Sequence, residues 1–172
     1  MPRIAITGLG LLSPLGLDVA AYWEGLCAGR SGVGFITEFS TEKLRTDIAA
    51  SVRGFDPKSV LESREIDYTG RVVQLGLAAS LQAARQARLE GVDKTRVGVL
   101  VSSGQGAVEI FEEQVKRAAT RGPRAVSPYF IPSAMPNALS GLVATKLGLM
   151  GPSFNIASAC ATSTHSIAIG AL

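Results

Sequence analysis

A chain of 172 residues can bury one sizeable core and leaves little room for a second domain. Its composition, 47% hydrophobic and 18% charged, is that of a globular protein with a large interior. The net charge of +3 is too mild for a nucleic-acid binder, and no run of Lys and Arg interleaved with aromatics supplies a basic track.

The two cysteines, Cys27 and Cys160, form no spaced ligand set with the single His165, which argues against zinc and against a disulfide scaffold. A reducing cytoplasm is the expected compartment. Gly8, Gly10, Pro14 and Gly16 break any signal-peptide helix at the start, and no apolar run reaches the ~20 residues that cross a bilayer. Low charge with many Ala and Gly suggests surfaces hidden by a partner or by further chain.

In chain order, the apolar run Arg3 to Gly8 predicts a buried first strand. It enters a glycine-rich loop, Gly8 to Gly16. A dinucleotide loop needs a third glycine at position 13 and a helix opening there, where this chain has Ser13 and Pro14. The glycines are read instead as permitting a tight turn and close packing. Asp18 is placed to cap a helix running to about Ala28, ended by Gly29. From Ser31 to Glu65 the pattern is irregular, with short extended pieces such as Ile48 to Val52.

Val72, Val73, Leu77, Leu81 and Ala84 recur near helical spacing, while Gln74, Gln82, Arg85 and Gln86 are polar, and together they predict a long helix from about Asp67 to Arg88. Arg96 to Ser102 reads as a central strand buried on both faces. Strand, helix and strand at these lengths indicate a parallel sheet with crossover helices. After Ser103-Gly-Gln-Gly106, a helix is expected from about Ala107 to Thr120, its early glutamates and later cations suited to the macrodipole. Gly122 to Asn137 carries four prolines, which predicts neither regular helix nor central strand. Its apolar side chains are expected to pack on another subunit or across a pocket. A further helix runs to Leu147, closed by Gly148.

The stretch Gly151 to Ala168 predicts a short buried strand, a tight bend among small residues, and a helix. Cys160 falls at the bend, near the helix N-terminus, where free N–H groups and the dipole favour a thiolate. That layout suits a nucleophile carrying an acyl thioester, though a buried, inert cysteine is also compatible with the residues alone. A cysteine hydrolase needs a histidine at the sulfur. His165 lies five residues on, rotated roughly 140° around the helix, and is read as a core or packing residue. The α/β-hydrolase elbow needs glycines where this chain has Ser158 and Thr162.

Ile156-Ala-Ser-Ala-Cys160-Ala-Thr-Ser-Thr-His165 resembles the nucleophile motif of the β-ketoacyl-acyl carrier protein synthases, elongating condensing enzymes of the thiolase fold. The openings Ile6-Thr-Gly-Leu-Gly10, Ser13-Pro-Leu-Gly16 and Trp23 to Gly32 are similar to the family's, as are Ser103 to Gly106, Gly122-Pro-Arg124 and Ser127 to Asn137. The resemblance implies a layered α/β/α/β/α fold with a mostly parallel sheet. Residues 1–172 would then be an incomplete N-terminal ketosynthase domain.

Decarboxylative Claisen condensation is the implied reaction, with Cys160 taking an acyl group from acyl carrier protein or coenzyme A and no cofactor required. The backbone N–H of Cys160 would form part of an oxyanion hole. By the same resemblance, Phe130 would reach a neighbouring subunit's acyl pocket, which implies a homodimer, and Gln105 and Ala134 would lie at the pocket. Gln105 departs from the aliphatic residue common in fatty-acid enzymes and suggests a polar, functionalised or short acyl group. Arg64, Arg71 and Arg124 would meet an acidic carrier protein. Family members run to more than twice this length, with two active-site histidines beyond Leu172. The chain is therefore expected to be acylated but not to complete condensation alone. The alternative is a non-catalytic partner resembling chain-length factors, or a dimerising fragment.

Overall fold

Capping and glycine punctuation set the ends of the first helix. Asp18 Oδ1 accepts the Ala21 N–H at 2.8 Å and opens α1 (Val19–Cys27), and Gly29 follows at a φ of +64°. The structure, a computed structural model, describes residues 3–172. After α1 come β1 (Gly34–Phe35) and β2 (Ile48–Ala49), paired antiparallel with Gly34 opposite Ala49. Then follow α2 (Ser63–Ile66), α3 (Arg71–Gln86), α4 (Val108–Arg121), α5 (Phe130–Ala134), α6 (Ala138–Leu147) and α7 (Thr162–Gly170), joined by short 3-10 turns.

The core lies between α3 and α6. Val73 and Leu77 of α3 meet Leu139 and Val143 of α6, with Leu61 and Val99 completing the buried cluster. Leu77 is fully buried, which contributes about 1.5–3 kcal/mol for a side chain of this size. The helix expected from Asp67 begins instead at Arg71, because Gly70 caps it in extended backbone and α2 ends before it. Gln74, expected on the polar face, is buried and donates through Nε2 to the Thr69 carbonyl at 2.9 Å.

The parallel sheet is much reduced. Among the described residues the one named sheet is the β1–β2 pair, and the expected central strand survives as a parallel bridge between Val99 and Ser153. Around that bridge, Val99 N–H donates to Pro152 O at 2.8 Å and Phe154 N–H to Val99 O at 3.2 Å. Only Val99 in this stretch is buried, against the expectation of burial on both faces.

The expected first strand also differs. Ile4 and Ile6 are exposed, and residues 3–8 adopt no strand pairing. A groove of about 320 Å³, lined by Ile6, Gly8, Val97 and Val99 among others, separates this segment from the Val99 backbone. What docks the adjoining loop is α3: Leu9 N–H donates to Gln86 Oε1 at 2.6 Å and Leu11 N–H to Gln82 Oε1 at 3.0 Å. A Cβ on Gly10 would stand 1.8 Å from the Ala79 carbonyl oxygen, so the glycines of this loop serve close helix packing, as the sequence implies.

The proline-rich segment contains a helix after all. α5 spans Phe130–Ala134 with Pro132 at its third position. In a first turn no N–H has an intrahelical partner, so the missing proton costs nothing there.

Candidate active site

Two backbone segments converge on Cys160. The extended run ending at Ser103 is held beside the run ending at Ile156: Ser103 N–H donates to Asn155 Oδ1 at 2.9 Å, and Ile156 N–H to Ser102 Oγ at 3.1 Å. Beyond these contacts both chains turn. Ser103 Oγ accepts the Gly106 N–H at 3.0 Å, closing the Ser103–Gly106 loop. Opposite it, Ala159–Ala161 forms a 3-10 turn leading directly into α7.

Cys160 is exposed at the centre of that 3-10 turn, just before the helix rather than within it. Ala159 precedes it at a φ of +49°, in the left-handed region, where a side chain costs about 1–2 kcal/mol. Backbone of this kind persists only where the surrounding structure imposes it. Ser158 N–H donates to Thr162 Oγ1 at 2.9 Å, and Ala161 N–H to Ser158 O at 3.0 Å. Thr162 is buried, and Ser166 Oγ donates to its carbonyl at 2.9 Å.

The sulfur opens onto a cleft of about 580 Å³ lined by Ser103, Gly104, Gln105, Gly106, Ala157, Ala159 and Cys160. No charged side chain lines it among the described residues. The arrangement presents a thiol, an amide side chain and several backbone groups around an open space. Chemically it offers a nucleophile at a helix entry, with hydrogen-bonding capacity from Gln105 a loop away.

Gln105 and Cys160 thus line the same cleft. Ala134 is fully buried behind the loop and touches it through backbone: Ala107 N–H donates to Ala134 O at 3.3 Å. Its side chain is not on the cleft. Phe130 packs edge-to-face on Phe111 of its own chain, with ring centres 5.1 Å apart, and is not on the cleft either. Another cavity, about 470 Å³, lies between α3, α5 and α6 beneath the stacked rings of Tyr68 and Tyr129 and does not include Cys160.

Of the three arginines, Arg64 and Arg124 are exposed and make no ion pair among the described residues. Arg71 is engaged in the fold. Its guanidinium donates to Val52 O at 3.2 Å and lies 5.0 Å from the centre of the Phe55 ring.

His165 is exposed rather than in the core, and its Nδ1 lies 2.6 Å from Ser158 Oγ. Sequence reasoning missed this pair, as it missed Asn155. In both cases the partners sit on different turns or segments whose approach only the folded backbone defines.

A family model described as "Beta-ketoacyl synthase, N-terminal domain" matches residues 1–171. The 3-oxoacyl-[acyl-carrier-protein] synthase 2 of Coxiella burnetii is 44% identical over 168 residues, 96% of this chain and 40% of the relative. The chloroplastic 3-oxoacyl-[acyl-carrier-protein] synthase I of Arabidopsis thaliana is 38% identical, covering 95% of this chain and 36% of the relative. The chain therefore spans about two fifths of the length of these relatives. Among solved structures, the ishigamide ketosynthase/chain length factor matches at a TM-score of 0.82 and 26% identity, covering 97% of this chain and 44% of that one. A β-ketoacyl synthase from Burkholderia phymatum matches at 0.82 and 25%, covering 98% and 42%.

Proposed function

The chain belongs to the β-ketoacyl synthase family, and on that footing we propose that Cys160 is the nucleophile of an acyl transfer that begins chain elongation. The observation carrying this reading is the exposed thiol on a strained turn, facing a cleft shared with Gln105. Having given its proton to solvent, Cys160 Sγ attacks the carbonyl carbon of an acyl thioester. The carrier thiolate leaves as the acyl–Cys160 bond forms, and a proton returns to it from solvent. The Cys160 N–H, at the head of the turn, is the donor proposed for the tetrahedral oxyanion.

Condensation follows when a malonyl thioester loses carbon dioxide. The resulting enolate carbon bonds to the acyl carbonyl carbon, and the carbonyl–Sγ bond breaks to free Cys160. Apart from Cys160, the described residues lining the cleft are Ser, Gly, Gln and Ala, with no acidic, basic or histidine side chain among them. What this chain's own groups support is acyl capture; the decarboxylation step calls on groups outside the cleft described here.

Gln105 beside the sulfur favours an acyl group able to hydrogen-bond, or one short enough not to meet the amide. The carrier is proposed to be an acidic acyl carrier protein, met by Arg64 and Arg124, which are exposed and make no ion pair among the described residues. Arg71 would take part only by giving up its place on Phe55. A homodimer remains part of the proposal, with Phe130 turning from Phe111 toward a second copy. We place the protein in the cytoplasm; among the described residues no helix is long and apolar enough to cross a membrane.

Incubation with acetyl- and octanoyl-coenzyme A, followed by intact mass measurement, tests acyl capture. One acyl group per chain is expected, lost in Cys160→Ala and retained in Cys27→Ala. Equal acylation of Cys160→Ala would sink the reading. The likeness to the ishigamide ketosynthase/chain length factor favours a second reading, a non-catalytic partner subunit, which predicts no acylation at all.

A further inference from the structure

Ser158 makes three hydrogen bonds at the turn ahead of Cys160. Two of them are local: its N–H to Thr162 Oγ1 at 2.9 Å, and its carbonyl to the Ala161 N–H at 3.0 Å. The other reaches seven residues along the chain, from Ser158 Oγ to His165 Nδ1 at 2.6 Å. Between Ser158 and Cys160 stands Ala159, whose φ of +49° an alanine does not adopt unless its surroundings impose it. The Thr162 contact anchors one side of the turn to a buried position at the start of α7. The His165 contact anchors the other to the helix's exposed face, a full turn further on.

An exposed histidine with an exposed carboxylate would be an ordinary surface pair, but the partner here is a hydroxyl two residues from the proposed nucleophile. The imidazole suits that place. In either neutral tautomer Nδ1 bonds the hydroxyl, donating its proton to Oγ or accepting the proton of Oγ, and in the cation it donates. The tether therefore holds in every charge state of the ring.

Resting on Cys160 as the acyl acceptor, we propose that His165 is a positioning residue: it holds Ser158, and through Ser158 the backbone of Ala159, so that Sγ points into the cleft beside Gln105. It touches no reacting atom in this role and moves no proton. Residues that set the approach of a nucleophile by this means affect the rate steeply, since a displacement of about 1 Å can cost up to ~100-fold.

The test is the single-turnover rate of Cys160 acylation by octanoyl-coenzyme A, followed by mass in the purified protein. His165→Ala and Ser158→Ala are each expected to slow acylation by about tenfold. The double variant should be no slower than either alone, because both break the same contact. His165→Asn carries an amide at the position of Nδ1 and should recover to within about threefold of the parent. A merely structural role would not be rescued in the rate while leaving thermal stability level across the series. Parent-like acylation of His165→Ala, additive slowing in the double variant, or an Asn variant as slow as Ala would each overturn the inference. An unacylated parent would overturn the nucleophile itself, and the tether's role with it. The two failures are told apart by the parent alone.

Discussion

Ser140 Oγ, buried on α6, lies 2.7 Å from the carbonyl oxygen of Val101 and is placed to donate to it. The same hydroxyl stands 3.1 Å from the carbonyl of Phe154. Val101 and Phe154 belong to the two extended segments that carry the walls of the Cys160 cleft. One hydroxyl thus serves carbonyls on both walls, from the helix that also supplies Leu139 and Val143 to the core. Removing the hydroxyl takes from the two carbonyls the one proton they share. Ser140→Ala is expected to cost about 1–3 kcal/mol and to lower Tm by about 3–8 °C. Thermal unfolding by circular dichroism measures it; an unchanged Tm would mean that water reaches both carbonyls.

Gly106 joins the cleft loop to the buried end of α5. Its φ is +73°, and a Cβ there would stand 2.3 Å from the Ala134 carbonyl oxygen. Both facts act against any side chain, one through backbone strain and one through collision with main chain that cannot swing away. Gly106→Ala is expected to lose about 2–4 kcal/mol, combining strain with displacement of the loop. Since Gln105 is the preceding residue, acylation of Cys160 should fall with stability. Urea unfolding and acylation measured on the same variant check both, and a stable variant with full acylation would contradict the packing described.

Glu65 ties α2 to α6. Its carboxylate lies 2.6 Å from Lys146 Nζ and accepts the Glu62 N–H at 2.9 Å. The Lys146 contact, first, and the Glu62 N–H, second, hold the carboxyl below the ordinary glutamate range, against a smaller opposing effect of burial. A depressed folded-state pKa means that the stabilisation is complete above the unfolded value and is lost as pH falls through the folded one. Glu65→Gln should therefore be less stable than the parent at pH 7, by about 0.5–1 kcal/mol for a partly covered pair. The gap should close on acidification below the ordinary glutamate range. Denaturant midpoints of both proteins across pH check this, and a gap that widens in acid would reverse the sign.

How much of this was legible in the residues varies with the range of the interaction. Asp18 capping α1 and the 3.6-residue spacing of Val73, Leu77 and Ala84 are local signals, and both are seen in the fold. The juxtaposition of Gln105 with Cys160 came through the family resemblance rather than through periodicity. Strand pairing failed where its partners were distant: residues 3–8 read as a buried strand, yet among the described residues they join no sheet. The glutamines of α3 misled for a related reason. Gln82 and Gln86 read only as polar positions of the helix, but the Leu11 and Leu9 N–H groups of the glycine loop donate to them. Pro132 misled through position, since a proline excludes a helix interior and not a first turn.

Gln105 offers the sharpest test of what the cleft selects. It shares the cleft with Cys160, and the remaining lining is small residues and backbone. An alkyl chain laid along that surface displaces water from the amide without replacing its hydrogen bonds, at a cost of about 1–2 kcal/mol. An acyl group with its own hydroxyl or carbonyl regains the bond, and an acetyl group has no alkyl chain to lay along the amide. Gln105→Leu removes the amide at nearly constant volume. Octanoyl transfer to Cys160 should then accelerate by about 5- to 30-fold relative to acetyl transfer. Competition between octanoyl- and acetyl-coenzyme A, read by intact mass at partial conversion, gives the ratio directly. An unchanged ratio would place the acyl chain away from Gln105, along some other part of the surface around Cys160.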